Sequence, residues 1–138
     1  MGLIFTASGR NSRFERIRIT AAATAKRQLP ELEVSKEDLE TAKMNLQAEH
    51  YRAANNRAYY SIYHAVTAVL ALENVSYKRH KDTIANFNKN YIKTEIFPRE
   101  LGRRISKAEI VRHDSDYNEF YLVTKDETKE QIEPTQPN

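Results

Sequence analysis

The chain has 138 residues, of which 30% are charged and none is cysteine, and its formal net charge is +3. This length suits one domain with its own hydrophobic core, and the lack of cysteine excludes disulfides, thiolate zinc sites and cysteine nucleophiles. No apolar run reaches the length of a transmembrane helix and the first residues lack the apolar stretch of a signal peptide, so we expect a cytoplasmic protein.

The positive charge is concentrated near the N-terminus. Residues 1–30 contain six basic residues and one acid, whereas residues 31–138 contain 16 basic and 18 acidic residues. We predict that residues 1–30 form a basic, flexible arm and that residues 31–138 form the folded domain. In an alternative interpretation, the arm reaches RNA or a partner protein. Since the folded part has a slight excess of acids, contact with a nucleic acid would need a local basic cluster.

The spacing of apolar residues predicts a first helix from Ser35, which can cap free N–H groups, to about His50. A second helix is predicted from about Arg52 to Glu73. Asn74 then suits the left-handed conformation that ends many helices. The short polar segment between these two helices is a natural break.

A third helix is predicted over residues 81–92, and a fourth begins with Pro98 in its first turn and ends near His113. Residues 114–118 are predicted to form a turn. The last five residues are predicted to be frayed.

Thr124 is followed three residues later by Glu127, a capping-box pattern that predicts a short last helix to about Ile132. No segment shows the alternation of a β-strand. The predicted fold is therefore all-α, an up-and-down antiparallel bundle of four main helices plus a short C-terminal helix.

The second helix carries polar side chains along one stripe and apolar ones opposite. At about 100° per residue, Arg57, Tyr60 and His64 fall within roughly 60° of one another. The opposite face is predicted to build the core; it consists of Tyr59, Ile62, Tyr63, Val66, Val69 and Leu70. One helix thus offers both a packing face and a cation, a phenol and an imidazole in a row.

Three segments then form a recognisable combination. They are the second helix with Arg57-Ala-Tyr-Tyr-x-x-x-His64, residues 81–97 leading into Pro98, and residues 112–117 with Asp116-Tyr117. In this combination the chain resembles the HEPN-domain family of small prokaryotic helical proteins. The resemblance covers roughly residues 35–133 and leaves the N-terminal segment unmatched.

The resemblance implies a helical bundle that is usually a homodimer. Many members are metal-independent RNases or toxins of toxin–antitoxin pairs, often encoded beside a minimal nucleotidyltransferase. Others are non-catalytic modules that bind a nucleotide or a partner protein. It therefore implies a defence, stress or toxin–antitoxin role, with RNA or a nucleotide as ligand and no cofactor.

Catalytic members carry Arg-x(4–6)-His, typically on a later helix. Here the matching spacing is Arg57-x6-His64 on the second helix, with Ala58 after the arginine. Either this pair is the active pair or the RNase motif is missing. In the enzymatic version His64 is the general acid or base, Arg57 clamps a phosphate and Tyr60 donates a further hydrogen bond. Two copies across a dimer two-fold axis would supply two histidines.

A second constellation lies near the end of the fourth helix. Arg112 and His113 are candidates to complete a phosphate site with Asp116, and Tyr117 offers a modifiable hydroxyl. The alternative is structural: these residues end a helix, and Asp116 and Tyr117 hold the Arg–Tyr–His stripe in place.

The only basic run of the folded part is residues 78–81, Lys-Arg-His-Lys, which is either a solvated loop or an RNA-backbone contact. The four histidines lack the spacing of metal ligands, so no metal is expected.

Overall fold

The computed structural model describes residues 13–133, and the side chains of residues 30–133. Its five α-helices are α1 (Arg13–Gln47), α2 (Tyr51–Ala71), α3 (His80–Phe87), α4 (Arg99–Tyr117) and α5 (Lys125–Ile132). A π-helical segment, Asn88–Ile92, continues α3 directly. The described residues contain no strand, and the predicted all-α helical bundle is confirmed.

The first helix begins much earlier than predicted. The backbone is already helical at Arg13, with Pro30 inside the helix, so the predicted start at Ser35 is wrong. The hydroxyl of Ser35 donates to the backbone oxygen of Ser61 on α2 instead of capping α1. The predicted flexible arm falls partly on residues 1–12, which lie outside the described residues, and partly on the helical backbone of residues 13–30.

The turn between α1 and α2 lies where the sequence places a break. Glu49 adopts a positive φ of 64°, and the N–H of His50 donates to the carbonyl oxygen of Asn45. The chain reverses there, so α2 runs antiparallel to α1. Ala42 and Ala54 are completely buried between the two helices, and such small side chains allow their backbones to lie close.

The predicted left-handed residue at the end of α2 is confirmed, since Asn74 has a φ of 59°. The N–H of Val75 donates to the carbonyl oxygen of Leu70 and the N–H of Asn74 to that of Ala71. These two bonds are those of a Schellman motif, which satisfies carbonyl groups that a helix end leaves free.

The predicted turn over residues 114–118 is wrong, because α4 continues to Tyr117. The extra turn keeps Ser115 buried below Val111, and Arg112 forms an ion pair with Asp116 one turn later. Pairs at this spacing stabilise a helix. The predicted cap of α5 is confirmed: the hydroxyl oxygen of Thr124 accepts a hydrogen bond from the N–H of Glu127 at 3.1 Å.

The core has two parts. The larger joins α2, α3, the π-helical segment and α4, and its buried members are Val66, Leu70, Ile84, Phe87, Tyr91, Ile92 and Ile105. The smaller joins α1, α2 and α5 through three alanines and Ile132. Tyr59 and Val66 of the predicted core face are buried, while Ile62, Tyr63 and Val69 are half-buried against the larger cluster. The apolar face of α2 is thereby fixed, and its polar stripe is turned towards α1.

Candidate functional site

Arg57 is held by two neighbours on the polar stripe of α2. Its Nη1 atom donates to Oδ1 of Asp38 on α1 at 3.1 Å, and its Nε and Nη2 atoms donate to Oδ1 of Asn56. The Asp38 side chain is 11% exposed, whereas that of Arg57 is 38% exposed. The guanidinium therefore anchors a nearly buried carboxylate while one side of it remains open to solvent.

His64 lies seven residues, almost two turns, further along α2 and also faces α1. Its Nδ1 atom is 2.7 Å from Oε2 of Glu31, and its Nε2 atom is 3.8 Å from Oδ2 of Asp38. The carboxylate of Asp38 thus lies between Arg57 and His64. Glu31 and Asp38 are seven residues apart on α1, as are Arg57 and His64 on α2, so the antiparallel helices bring two acids opposite two bases.

The ring of Tyr60 is the centre of this stripe. The guanidinium carbon of Arg57 lies 5.0 Å from its centroid, and that of Arg112 on α4 lies 5.9 Å away. The rings of His64 and His80 have their centroids 6.5 Å and 5.6 Å from it. Cations close to the face of an aromatic ring are stabilised by its quadrupole. Four basic side chains from three helices therefore surround one tyrosine.

The structure separates the second group of predicted residues, which consists of Arg112, His113, Asp116 and Tyr117. Arg112 lies over Tyr59 at 4.7 Å and pairs with Asp116, whose carboxylate also accepts from Asn56 beside Arg57. His113 and Tyr117 point elsewhere: their rings lie 5.0 Å apart on the outer face of α4, and both are well exposed. The structure thus brings Arg112 and Asp116 to the stripe and leaves His113 and Tyr117 away from it.

The predicted structural alternative had Asp116 and Tyr117 as partners of the stripe. This pairing is wrong for both Arg57 and His64, whose acids are Asp38 and Glu31 of α1. The reason is the long hairpin of α1 and α2, which places these acids directly opposite the stripe. Ser61, which lies between Arg57 and His64 on α2, is likewise buried against α1 of the same chain.

The profile of the HEPN domain matches residues 32–136, which is most of the chain. The chain belongs to the HEPN-domain family. This agrees with the resemblance found in the sequence.

Several relatives of this HEPN protein are prokaryotic. A "UPF0332 protein" of Thermotoga maritima is 31% identical over 98 residues, 71% of this chain and 74% of that protein. "Putative toxin MJ0605" of Methanocaldococcus jannaschii is 33% identical over 86 residues, 62% of this chain and 64% of that protein. "Putative toxin MJ0142" of the same organism is 31% identical over 105 residues, 75% of this chain and 71% of that protein. These names support a toxin-related HEPN protein.

The two acids opposite the polar stripe, Glu31 and Asp38, were not predicted from the sequence. Glu31 and Asp38 look like ordinary surface acids of an amphipathic helix, and only the pairing with α2 gives them a role. One signal was present: acids seven residues apart face bases seven residues apart across a predicted break near residue 50. An antiparallel hairpin around that break pairs position 38 with 57 and position 31 with 64.

His80 was seen only as part of the basic run over residues 78–81. Its three neighbours in that run are exposed, whereas His80 is half-buried and its ring stacks on Tyr63 with centroids 3.8 Å apart. Burial, followed by the charges of Arg112 and His64, lowers the pKa of His80, with Glu109 opposing. No local sequence pattern predicts the contact between His80 and Tyr63, since the two residues belong to different helices.

A polar cleft of about 380 Å³ opens beside Arg57, at the α1–α2–α4 junction. Its lining consists of Thr41, Asn45, Arg52, Ala53, Asn56, Arg57 and Asp116. The lining thus combines two arginines, one carboxylate and several neutral polar side chains, and the arginines are the groups in it suited to bind an anionic group. Among the described residues, no three His, Asp or Glu side chains are grouped so as to hold a metal ion. In the same part of the chain, no helix combines the length and hydrophobicity needed to span a membrane.

Proposed function

We propose that this HEPN protein is the toxin of a prokaryotic toxin–antitoxin or defence system and that it cleaves RNA without a metal ion. The observation that carries the proposal is the position of Asp38. An anionic carboxylate lies between the guanidinium of Arg57 and the imidazole of His64. A phosphate group has the same charge sign and the same hydrogen-bonding needs, so this pair of side chains is suited to a phosphodiester.

Each of the three stripe residues has a role in this reaction. His64 transfers a proton, since an imidazole can act as acid or base near neutral pH. Arg57 donates to the non-bridging oxygens of the phosphate, exchanging its bonds to Asn56 for bonds to the substrate in the neighbouring cleft. Tyr60 orients the substrate or donates a further hydrogen bond. Arg112 adds a second positive charge 5.9 Å from the centre of the Tyr60 ring.

The test is cleavage of a single-stranded RNA oligonucleotide by the purified full chain in the presence of EDTA. We expect His64→Ala and Arg57→Ala to lower the rate at least about 100-fold, the usual size of one acid–base or charge-stabilising contribution. His50→Ala and Arg103→Ala are matched controls, since both residues are exposed and neither belongs to the stripe or lines the neighbouring cleft. Equal rates in all variants would contradict the proposed role of the stripe.

A second candidate function is that of a non-catalytic interaction module, which pairs with a nucleotidyltransferase or another protein. It is favoured by the fact that Arg57 and His64 already have acidic partners within the chain. A surface for a partner is available between α4 and α5, where Phe120 and Leu122 are 90% and 87% exposed. Exposed apolar patches often mark contact sites.

This candidate predicts a different set of results. Arg57→Ala and His64→Ala would lower the melting temperature while no RNA cleavage is seen in any variant. Where a minimal nucleotidyltransferase is encoded beside the chain, calorimetry should detect its binding, and Phe120→Ser with Leu122→Ser should weaken it. Unchanged melting temperatures and no binding would exclude this module.

A further inference from the structure

His80 and His64 lie on the same side of the molecule, although 16 residues and one helix boundary separate them. Both rings approach Tyr60, at 5.6 Å and 6.5 Å between centroids, and both approach Tyr63, at 3.8 Å and 5.7 Å. Both imidazoles therefore lie against the same pair of tyrosine rings. One chain alone brings two histidines into a single site.

We propose that His80 is the second proton-transfer group of this site and that it works with His64 of the same chain. This inference rests on the proposed RNA cleavage and names a residue that the Arg57–His64 motif does not include. It also makes the pair of histidines complete within one subunit, so that a second copy is not needed to supply the missing one.

The surroundings assign different roles to the two rings. The Nδ1 atom of His64 is hydrogen-bonded to Oε2 of Glu31 at 2.7 Å, whereas its Nε2 atom lies 3.8 Å from Oδ2 of Asp38, too far for a hydrogen bond, so Nε2 is the nitrogen left to donate to a substrate. The neighbours of His80 are Tyr59, Tyr60, Tyr63 and His64 of α2 and Arg112 and Glu109 of α4. Burial and the cations among these neighbours lower the pKa of His80 and so favour its neutral form. A neutral imidazole suits a base, and a protonated one suits an acid.

The reaction balances with these two groups. Neutral His80 accepts the proton of the ribose 2′-hydroxyl, and the 2′-oxygen forms a new bond to phosphorus. The bond from phosphorus to the 5′-oxygen breaks, and protonated His64 gives its proton to that leaving oxygen. The products are a 2′,3′-cyclic phosphate and a 5′-hydroxyl. Arg57 and Arg112, both within 6 Å of the Tyr60 ring centre, compensate the negative charge on the phosphorane.

The test uses the full chain, EDTA and two substrates of the same sequence. One is ordinary RNA and the other carries a bridging 5′-phosphorothiolate, whose sulfur leaves without being protonated. We expect His80→Gln and His80→Phe to cleave both substrates at least about 100-fold more slowly than the wild type. His80→Phe preserves an aromatic ring against Tyr63, so a loss in this variant is not a packing effect. His64→Gln should lose activity on RNA and regain it on the phosphorothiolate, and His50→Gln should behave like the wild type.

The outcomes separate this inference from the proposed function. Full activity of both His80 variants, with His64→Gln inactive on RNA, would overturn the role of His80 and leave RNA cleavage standing. An inactive wild type would overturn both. Recovery of activity on mixing His64→Gln with His80→Gln would place the two histidines in different chains and overturn the single-chain pair; no recovery is expected.

Discussion

Ser35 of α1 and Ser61 of α2 exchange hydrogen bonds across the helix interface. The hydroxyl of Ser35 donates to the carbonyl oxygen of Ser61 at 2.7 Å, and the hydroxyl of Ser61 donates to the carbonyl oxygen of Ser35 at 2.8 Å. Each serine thus binds the backbone of the opposite helix. The exchange lies between the contacts of Asp38 and those of Glu31, so it fixes the register that brings both acids to the polar stripe.

We expect Ser35→Ala to lower the free energy of unfolding by about 1 kcal/mol, the usual net value of one hydrogen bond. Urea denaturation measures this change, and Ser106→Ala, at an exposed position of α4, corrects for the higher helix propensity of alanine. A double-mutant cycle with Ser61→Ala should give a coupling of about 0.5 kcal/mol or more. No coupling would mean that the two serines act independently.

Removal of the Asp38 carboxylate should destabilise the hairpin of α1 and α2. Asp38→Ala leaves the Nη1 atom of Arg57 without its acceptor, and we expect a loss of about 2 kcal/mol, typical of a hydrogen bond to a charged group. Glu37→Ala, at the exposed neighbouring position, is the matched control for urea denaturation. Arg57→Ala should lower the free energy of unfolding less in the Asp38→Ala variant than in the wild type. Additive losses of free energy in the double variant would contradict the pairing of Arg57 with Asp38.

Thr128 is completely buried and connects α5 to α2. Its hydroxyl accepts a hydrogen bond from the side-chain amide of Asn55 at 2.8 Å and donates to the carbonyl oxygen of Thr124. Thr128→Val keeps the shape but leaves a buried amide donor without this acceptor, so we expect a loss of about 1–3 kcal/mol in urea denaturation. Thr94→Val, at an exposed threonine, should change stability much less.

Gly102 lets α4 approach the π-helical segment. A Cβ atom at this position would lie 2.9 Å from Cγ2 of Ile92, which is too close. Overpacking of this kind costs about 1–3 kcal/mol, and the better helix propensity of alanine returns up to about 1 kcal/mol. We therefore expect Gly102→Ala to lower the melting temperature, and Ile92→Ala, which removes the obstructing methyl group, to reduce the effect. An increase in melting temperature would contradict this expectation, because it would mean that α4 and the π-helical segment can move apart without a loss of stability.

Three of the eight tyrosines should ionise late. Burial is the main cause that raises the pKa of Tyr59, Tyr91 and Tyr121 to about 12, and nearby glutamates add to it. Since these folded-state values exceed the unfolded value of about 10, the corresponding stability is complete below pH 10 and is lost between about pH 10 and 12. Absorbance at alkaline pH should show two titration steps in the folded protein and one in concentrated urea, and Tyr59→Phe should reduce the later step. A single step in both conditions would contradict this assignment.

The sequence was sufficient where a local rule decides the structure. The left-handed Asn74, the Thr124 cap and the stripe of Arg57, Tyr60 and His64 each depend on residues within a few positions of one another. The sequence was not sufficient to predict the role of a residue whose partner lies on a distant helix. Ser35 has the same capping chemistry whether it begins a helix or binds α2, and only the presence of α2 selects the second role.

The same limit applies to the candidate site. The group predicted near the end of the fourth helix does not stay together: Arg112 and Asp116 lie beside the stripe, but His113 and Tyr117 lie on the other face of α4. The predicted turn would have allowed all four to converge, whereas a continuous helix separates them by rotation. His80 depends on the packing of α3 against α2, which no periodicity encodes.

The π-helical segment after α3 has a consequence for how this chain tolerates length changes. The N–H of Lys93 donates to the carbonyl oxygen of Asn88, five residues earlier, so this turn holds one residue more than an α-helical turn. The extra residue allows both Tyr91 and Ile92 to be buried, although adjacent helical positions normally diverge by about 100°. Deletion of the exposed Asn90 would restore an ordinary helical turn and rotate the following residues, Ile92 among them, away from Gly102.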